Sequence, residues 1–216
     1  FSLLFEAIES FQLRSFWYFL TGTIWSPGVA NSQFGALPIF AGTFVITIIA
    51  LLVAIPIGLG SAIYMSEYAS PKFRDYLKPI LEILAGIPTV VYGFFAAITV
   101  APLVVKVAAF FGLEATFNSA LASGIVMGIM IIPLISSLSD DVIRAVPDSQ
   151  RKAAFALGMT HGETIKNIVI PSAMPGIISA SLLALSRALG ETMIVVMAAG
   201  LRPNLSWNPL EDMTTV

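Results

Sequence analysis

Residues 139–171 read Ser139-Asp-Asp-Val-Ile-Arg144-Ala-Val-Pro147-Asp-Ser-Gln-Arg151-Lys152-Ala-Ala-Phe-Ala-Leu-Gly158-Met-Thr-His161-Gly-Glu-Thr-Ile-Lys166-Asn-Ile168-Val-Ile-Pro171, an extended charged and amphipathic segment. It lies between two runs without a single charge, Ala115–Ser139 and Asn167–Ser186. Two more such runs lie upstream, Ser15–Ser66 and Ile83–Val105. Each is long enough for the roughly 20-residue helix that crosses a hydrocarbon core of about 30 Å. Of the 216 residues, 57% are hydrophobic and 11% charged, against roughly a quarter charged in soluble domains. Mean hydropathy is +0.90. The fold class is therefore all-α, a polytopic transmembrane helical bundle.

Working outward, the spans fall at about 37–65, 79–104, 119–138 and 171–200, with 139–169 as a loop holding two short helices that part near Gly158–Gly162. Pro56, Gly58 and Gly60 are kinks a bundle tolerates. Gly86-Ile-Pro88 marks a break in the second span, and Glu67–Lys78 reads as a short polar loop. Before the first span, Glu6, Glu9 and Arg14 mix with Trp17 and Tyr18, as in an interfacial segment, and Pro27-Gly28 breaks the chain. Lys72, Arg74, Lys78, Arg144, Arg151, Lys152 and Lys166 sit in alternate loops, against Arg14, Lys106 and Arg202 on the other side. That excess puts 139–169 in the cytoplasm and both chain ends outside.

Several classes drop out. The net charge of −2 and the absence of a basic patch give nucleic acid no footprint. Without cysteine there are no disulfides or thiolate metal sites. The single histidine, His161, has no partner at ligand spacing and reads as a surface residue, so no metal site is expected. A membrane-embedded enzyme would need a nucleophile with its base or a metal cluster. Neither His-Glu-x-x-His nor Gly-x-Ser-x-Gly occurs. No Gly-Lys-Ser/Thr occurs either, so this chain binds no ATP through a phosphate loop of that kind.

The loop has a fixed internal spacing. Ala153 and Ala154 are followed after three residues by Gly158, and after nine more by Ile168-Val-Ile-Pro171. An amphipathic loop of this kind is either a helix lying on the membrane surface or a dock for another protein. The spacing resembles the EAA loop of binding-protein-dependent ABC importer permeases, where a short coupling helix docks in a groove of the ATP-hydrolysing subunit. The resemblance assigns ATPase coupling to Lys152, Ala153, Ala154, Gly158, Ile168 and Pro171. The alanines would permit close approach, Gly158 a sharp turn, and Pro171 a stop to the loop helix. Lys152 stands where the family has glutamate, so its partner on the ATPase would differ.

Inside the fourth span lie Arg187 and Glu191. From a start near Pro171–Pro175, Arg187 is about 18–24 Å along the helix, past the midplane towards the outside. A charge there costs roughly 2.5–3.5 kcal/mol. Spacing of i, i+4 would put both groups on one face, with Gly176, Ala180, Ala184 and Ala188 as small residues admitting a neighbouring helix. The pair is either a self-neutralising structural pair or part of an anion path, for which a guanidinium's planar fork suits a tetrahedral oxyanion. Glu82 reads as a carboxylate at a helix N-terminus, or as a pathway group.

Arg187-Ala-Leu-Gly-Glu-Thr192-Met193 resembles the signature of phosphate-specific importer permeases, and the methionine after Glu-Thr favours the PstC type. Ile83-Leu-Ala-Gly-Ile-Pro-Thr-Val-Val-Tyr-Gly93 and Phe34-Gly-Ala-Leu-Pro38 are similar to segments of the same family. The resemblance implies a bundle of the type I ABC importer (MetI-like) kind in the bacterial inner membrane, importing inorganic phosphate. It further implies that one helix precedes Phe1 and at least one follows Val216. A second permease subunit (PstA-type), a dimer of ATPase subunits (PstB-type) that use ATP and Mg, and a periplasmic phosphate-binding protein (PstS-type) would complete the assembly among membrane lipid. Substrate-pathway roles then fall to Arg187 and Glu191, with Glu82 and Thr192 as pathway or structural residues. A permease of the same architecture carrying molybdate or sulfate is the near alternative. In the phosphate reading, Arg187 gives the anion a transient foothold. Glu191 keeps that foothold shallow and accepts a hydrogen bond from the phosphate O–H, which sulfate lacks.

Overall fold

The computed structural model describes residues 16–26 and 33–215, and these are mostly helical. Glu6, Glu9, Arg14 and the Pro27-Gly28 break lie outside the described residues. A short helix α1 (Phe16–Thr21) exposes Trp17 and Tyr18, and a two-residue ladder pairs β1 (Trp25–Ser26) antiparallel to β2 (Gln33–Phe34). Then come α2 (Leu37–Ile63), α3 (Pro71–Ala85), α4 (Thr89–Phe95), α5 (Ala101–Phe110), α6 (Ala120–Arg144), α7 (Asp148–Ala156), α8 (His161–Thr164), α9 (Ile170–Leu189) and α10 (Met193–Ala198). Wide π-helical turns at Tyr64–Tyr68, Ala96–Val100 and Ile165–Val169 extend α2, join α4 to α5 and join α8 to α9. Among the described residues, the result is four continuous helices apolar and long enough to cross a membrane, Leu37–Tyr68, Thr89–Phe110, Ala120–Arg144 and His161–Leu189.

The helix edges differ from the expected spans for local reasons. The stretch 79–104 is not one helix. Gly86 caps α3, its N–H bonding the carbonyls of Glu82 and Ile83 at 3.1 and 3.0 Å, and Pro88 then disfavours helical geometry at Ile87. The polar loop 67–78 is for the most part α3 itself, started by Ser70, whose hydroxyl accepts from the Phe73 N–H, with Pro71 in the first turn. Pro171 does not stop a helix. The π turn before it shifts the ladder, with Ile170 N–H bonding Ile165 O, so the missing proline donor falls where the spiral is already wide. The last apolar run does not continue to Gly200 as one helix: α9 ends at Leu189 and Gly190 caps it.

The chain packs as two compact units. In the unit formed by Phe1–Ile46, Gly93–Gly124 and Thr192–Val216, the segment after α10 serves the start of α6. Ala120 N–H donates to Glu211 O at 3.1 Å and Leu121 N–H to Pro209 O at 2.8 Å, satisfying donors that a helix N-terminus cannot pair internally. Glu211 accepts from Asn204 and Asn208, and hydroxyl and amide donors from Ser206 and Asn208 hold its carboxyl below the usual carboxylate range.

In the other unit, Thr47–Tyr92 and Ile125–Glu191, buried Ala62, Ile143, Val146, Val169, Ala173 and Ile177 form one cluster from α2, the end of α6 and the residues just after it, the π turn Ile165–Val169 and α9. Helix contact there depends on missing side chains. A Cβ on Gly128 would lie 2.9 Å from Ala50 O, one on Gly58 2.9 Å from Ile135, and one on Gly176 2.3 Å from Val142 Cγ1. A valine is stiff at χ1 and cannot swing aside. Gly176→Ala is therefore expected to cost about 1–3 kcal/mol by overpacking. Thermal unfolding of the full-length protein should show the loss, and Val142→Ala added to it should recover most of it.

Candidate functional site

The charged segment between α6 and α9 folds as α7, a turn and α8, all within the second unit. Gly158 ends α7 with φ +82°, the left-handed geometry that suits glycine. Met159 N–H reaches Ala154 O at 3.2 Å and Gly158 N–H reaches Phe155 O at 3.0 Å, a Schellman closure. Two residues on, Thr160 caps α8 in a reciprocal box. Its N–H donates to Glu163 Oε2 at 2.8 Å, and Glu163 N–H donates back to Thr160 Oγ1 at 3.4 Å.

Of the loop residues singled out by spacing, Ala154 is buried against its own chain, while Lys152, Ala153, Gly158 and Pro171 are more open and Ile168 is half-buried in the π turn. Ala153, Ala154, Ile168 and Pro171 together line one groove of about 560 Å3 with Leu157 and Met159. Lys152 and Gly158 are not among its lining residues. The structure thus brings four of these six residues to one surface.

Ion pairs tie this region to its neighbours. Arg74 of α3 bonds Asp140 of α6 at 2.9 Å, with the Asp140 side chain 1% exposed. Lys78 pairs with Asp141. Arg151 of α7 bonds Glu67 at 2.8 Å, Asp148 at 3.3 Å, and the carbonyls of Val146 and Ile143 at 2.6 and 3.0 Å. Sequence spacing gave no sign of the Arg74 and Arg151 pairs, whose partners stand 66 and 84 residues apart. The Thr160-x-x-Glu163 box was also missed, though its spacing is a signal from which it could have been found.

Arg187 sits in the last turn of α9, exposed on its surface, whereas Ala180, Ala184 and Ala188 of that helix are buried. The arginine therefore does not share the small-residue face. Glu191, 9% exposed, lies beyond the helix end at Leu189, so the i, i+4 relation to Arg187 does not hold. The spiral ends between the two groups, with Gly190 at the C-cap of α9. Thr192 is exposed in the same break, just before α10. Tyr92 of α4 lies close enough for the Arg187 guanidinium to act on it electrostatically, and its hydroxyl donates to Leu84 O at 3.0 Å across the Gly86–Pro88 break. Glu82 is exposed in the last turn of α3, not at a helix N-terminus. The dipole there opposes a carboxylate, so the favourable dipole argument for Glu82 is reversed. No group of three His, Asp or Glu side chains placed to hold a metal ion occurs among the described residues.

Four apolar crossing helices with a capped, charged loop before the last of them define a class: a multi-pass membrane subunit whose polar chemistry is concentrated at one loop and one helix end. The family model for the binding-protein-dependent transport system inner membrane component matches residues 54–207, and the chain belongs to that family. It is 36% identical over 198 residues to the probable ABC transporter permease protein YqgH of Bacillus subtilis strain 168, covering 92% of this chain and 63% of that one. It is 35% identical to the phosphate transport system permease protein PstC of Mesorhizobium japonicum, covering 92% of this chain and 64% of the relative. To the PstC of Xylella fastidiosa strain Temecula1 it is 33% identical, over 100% of this chain and 70% of the relative. The chain thus spans about two thirds of the length of these relatives. Among solved structures, an inward-facing MetNI methionine ABC transporter matches with a TM-score of 0.54 at 20% identity, over 77% of this chain and 74% of that one. The fold is thus the all-α bundle of the MetI-like importer permeases.

At Gly158 an added Cβ would meet no atom within 4 Å, so Gly158→Ala isolates backbone strain from packing. The expected loss is about 1–2 kcal/mol, with Gly158→Asn losing less, as read from thermal unfolding of the full-length protein.

Proposed function

We propose that this chain is the membrane-spanning part of an importer permease that passes inorganic phosphate from the periplasm to the cytoplasm. The observation that carries the reading is Arg187, a cation exposed in the last turn of an otherwise uncharged helix, Ile170–Leu189. Facing hydrocarbon, it would cost several kcal/mol, so the exposed guanidinium requires water, a partner subunit or an anion beside it. Five N–H donors in a planar fork match the oxygens of a phosphate. The names of the relatives, PstC among them, support phosphate as the anion.

In this reading the anion meets Arg187 transiently. Glu191, a buried carboxylate four residues on, lowers the local positive potential so that release stays fast. Phosphate near neutral pH keeps an O–H that can donate to that carboxylate, whereas sulfate presents only acceptors and is repelled. Tyr92, beside Arg187, keeps the Gly86–Pro88 break in shape. Thr192 adds a hydroxyl in the same break as Glu191. Energy comes from outside the chain: a pair of PstB-type ATPase subunits uses ATP and Mg, and α7 with its groove at Ala153, Ala154, Ile168 and Pro171 docks on one of them. A PstA-type permease completes the path and a PstS-type binding protein delivers phosphate. Lys152, on α7, faces an acidic partner in this docking.

Arg187→Ala in the full-length protein is expected to lower phosphate uptake by at least about a hundredfold while ATPase association persists. Uptake at wild-type rate would remove the arginine from the path. Glu191→Gln is expected to admit sulfate alongside phosphate. Unchanged discrimination in an assembled transporter would place selectivity elsewhere.

A further inference from the structure

Arg151 and His161 both reach from the loop to the same short turn, Tyr64–Tyr68, which ends α2. Arg151 donates to Glu67, whose side chain is 6% exposed, and to the backbone carbonyls of Ile143 and Val146 at the end of α6. The His161 ring, at the start of α8, stacks on Phe155 at 6.2 Å and meets Tyr68 edge-on at 5.2 Å. Its Nε2 lies 3.3 Å from Glu67 O. Two contacts of different chemistry, one ionic and one aromatic, thus bind α7 and the start of α8 to neighbouring residues of one turn.

That turn is π-helical, its bonds running to the fifth residue, as in Ala69 N–H to Tyr64 O at 2.9 Å. Such single π turns within helices are uncommon and recur at functional positions. The cavity beside it, about 450 Å3, is lined by Arg74, Arg144 and Arg151 and equally by Glu67, Asp75 and Asp148. Balanced charge of this kind does not gather a free anion. It holds elements together.

We infer that Arg151 is the positioning residue through which the loop moves α2. Resting on the reading of α7 as the ATPase dock, displacement of α7 passes through the Arg151–Glu67 pair, seconded by His161 on Tyr68, into the wide turn Tyr64–Tyr68. Chain connection leads from α7 only to α6 and α9, which pack on α2 through the Ala62–Ile143–Ile177 cluster, whereas the Arg151–Glu67 pair ties α7 itself to the end of α2. A guanidinium suits the role because it bonds a carboxylate and two carbonyls at once, which an ammonium at this position would not reproduce.

The test uses the full-length protein in its assembled complex, following amide hydrogen exchange with and without ATP, with phosphate uptake measured in parallel. In the wild type, ATP is expected to change exchange both in 148–164 and in 64–68. Arg151→Gln and Glu67→Gln should each cut the change at 64–68 by at least about fivefold and leave that in 148–164 intact. Arg144→Gln, which removes a charge from the same cavity without breaking the tie, should respond as the wild type does. Glu67→Gln decides the matter if Arg151→Gln does not assemble. An unchanged response at 64–68 in Glu67→Gln, or none there in the wild type, overturns the inference. A wild type that responds at 64–68 yet takes up no phosphate retires the phosphate reading and leaves the strut standing.

Discussion

A guanidinium cannot be left facing hydrocarbon, and Arg187 is held at the surface of a helix that otherwise offers lipid nothing to bind. The proposed anion contact follows from that misfit. Leu182, Leu183 and Leu189 around it are exposed and apolar, as on a helix surrounded by tails or by another bundle. The arginine interrupts that surface within the last turn, where the carbonyl dipoles favour a cation. The dipole makes the position tolerable, but it does not account for an exposed cation on an apolar surface.

At the loop end of the second unit the same constraint is met differently. There, Arg74, Lys78 and Arg151 are paired with carboxylates, and Arg151 also with helix-terminal carbonyls. Asp140 is buried against Arg74, and Arg151 takes the carbonyls of Ile143 and Val146 at the end of α6, where a helix runs out of internal donors. These bonds, the Schellman closure at Gly158 and the Thr160–Glu163 box make a charged segment rigid enough to serve as a part that other subunits push. Ion pairs here contribute shape more than stability, since each also carries a desolvation cost.

The class, and four crossing helices among the described residues, were legible because charge-free runs of this length match a membrane crossing and are longer than a soluble core helix needs. The loop spacing from Ala153 to Pro171 was legible too, and it converges on one groove through Ala153, Ala154, Ile168 and Pro171. Helix ends were not. Apolar character continues through Gly86–Pro88 and through Gly190, so hydropathy carried both spans across breaks that backbone geometry imposes. Pro171 misled in the opposite sense, because a π turn absorbs what would otherwise be a stop. Glu82 and Glu191 were misplaced for the same reason, each being referred to a helix that does not extend where hydropathy put it. Arg151 stood out only as one more positive charge, since its meaning depends on Glu67, far away in sequence.

The most direct measurement is the accessibility of position 187 in the assembled transporter. Arg187→Cys, in the cysteine-free background of this chain, can be challenged with a negatively charged, membrane-impermeant thiol reagent. Rapid modification is expected, slowed by phosphate and not by chloride at equal ionic strength. A thiol that reacts only with membrane-soluble reagents, or with none, would show the side chain facing lipid or dry protein, and would contradict the anion contact.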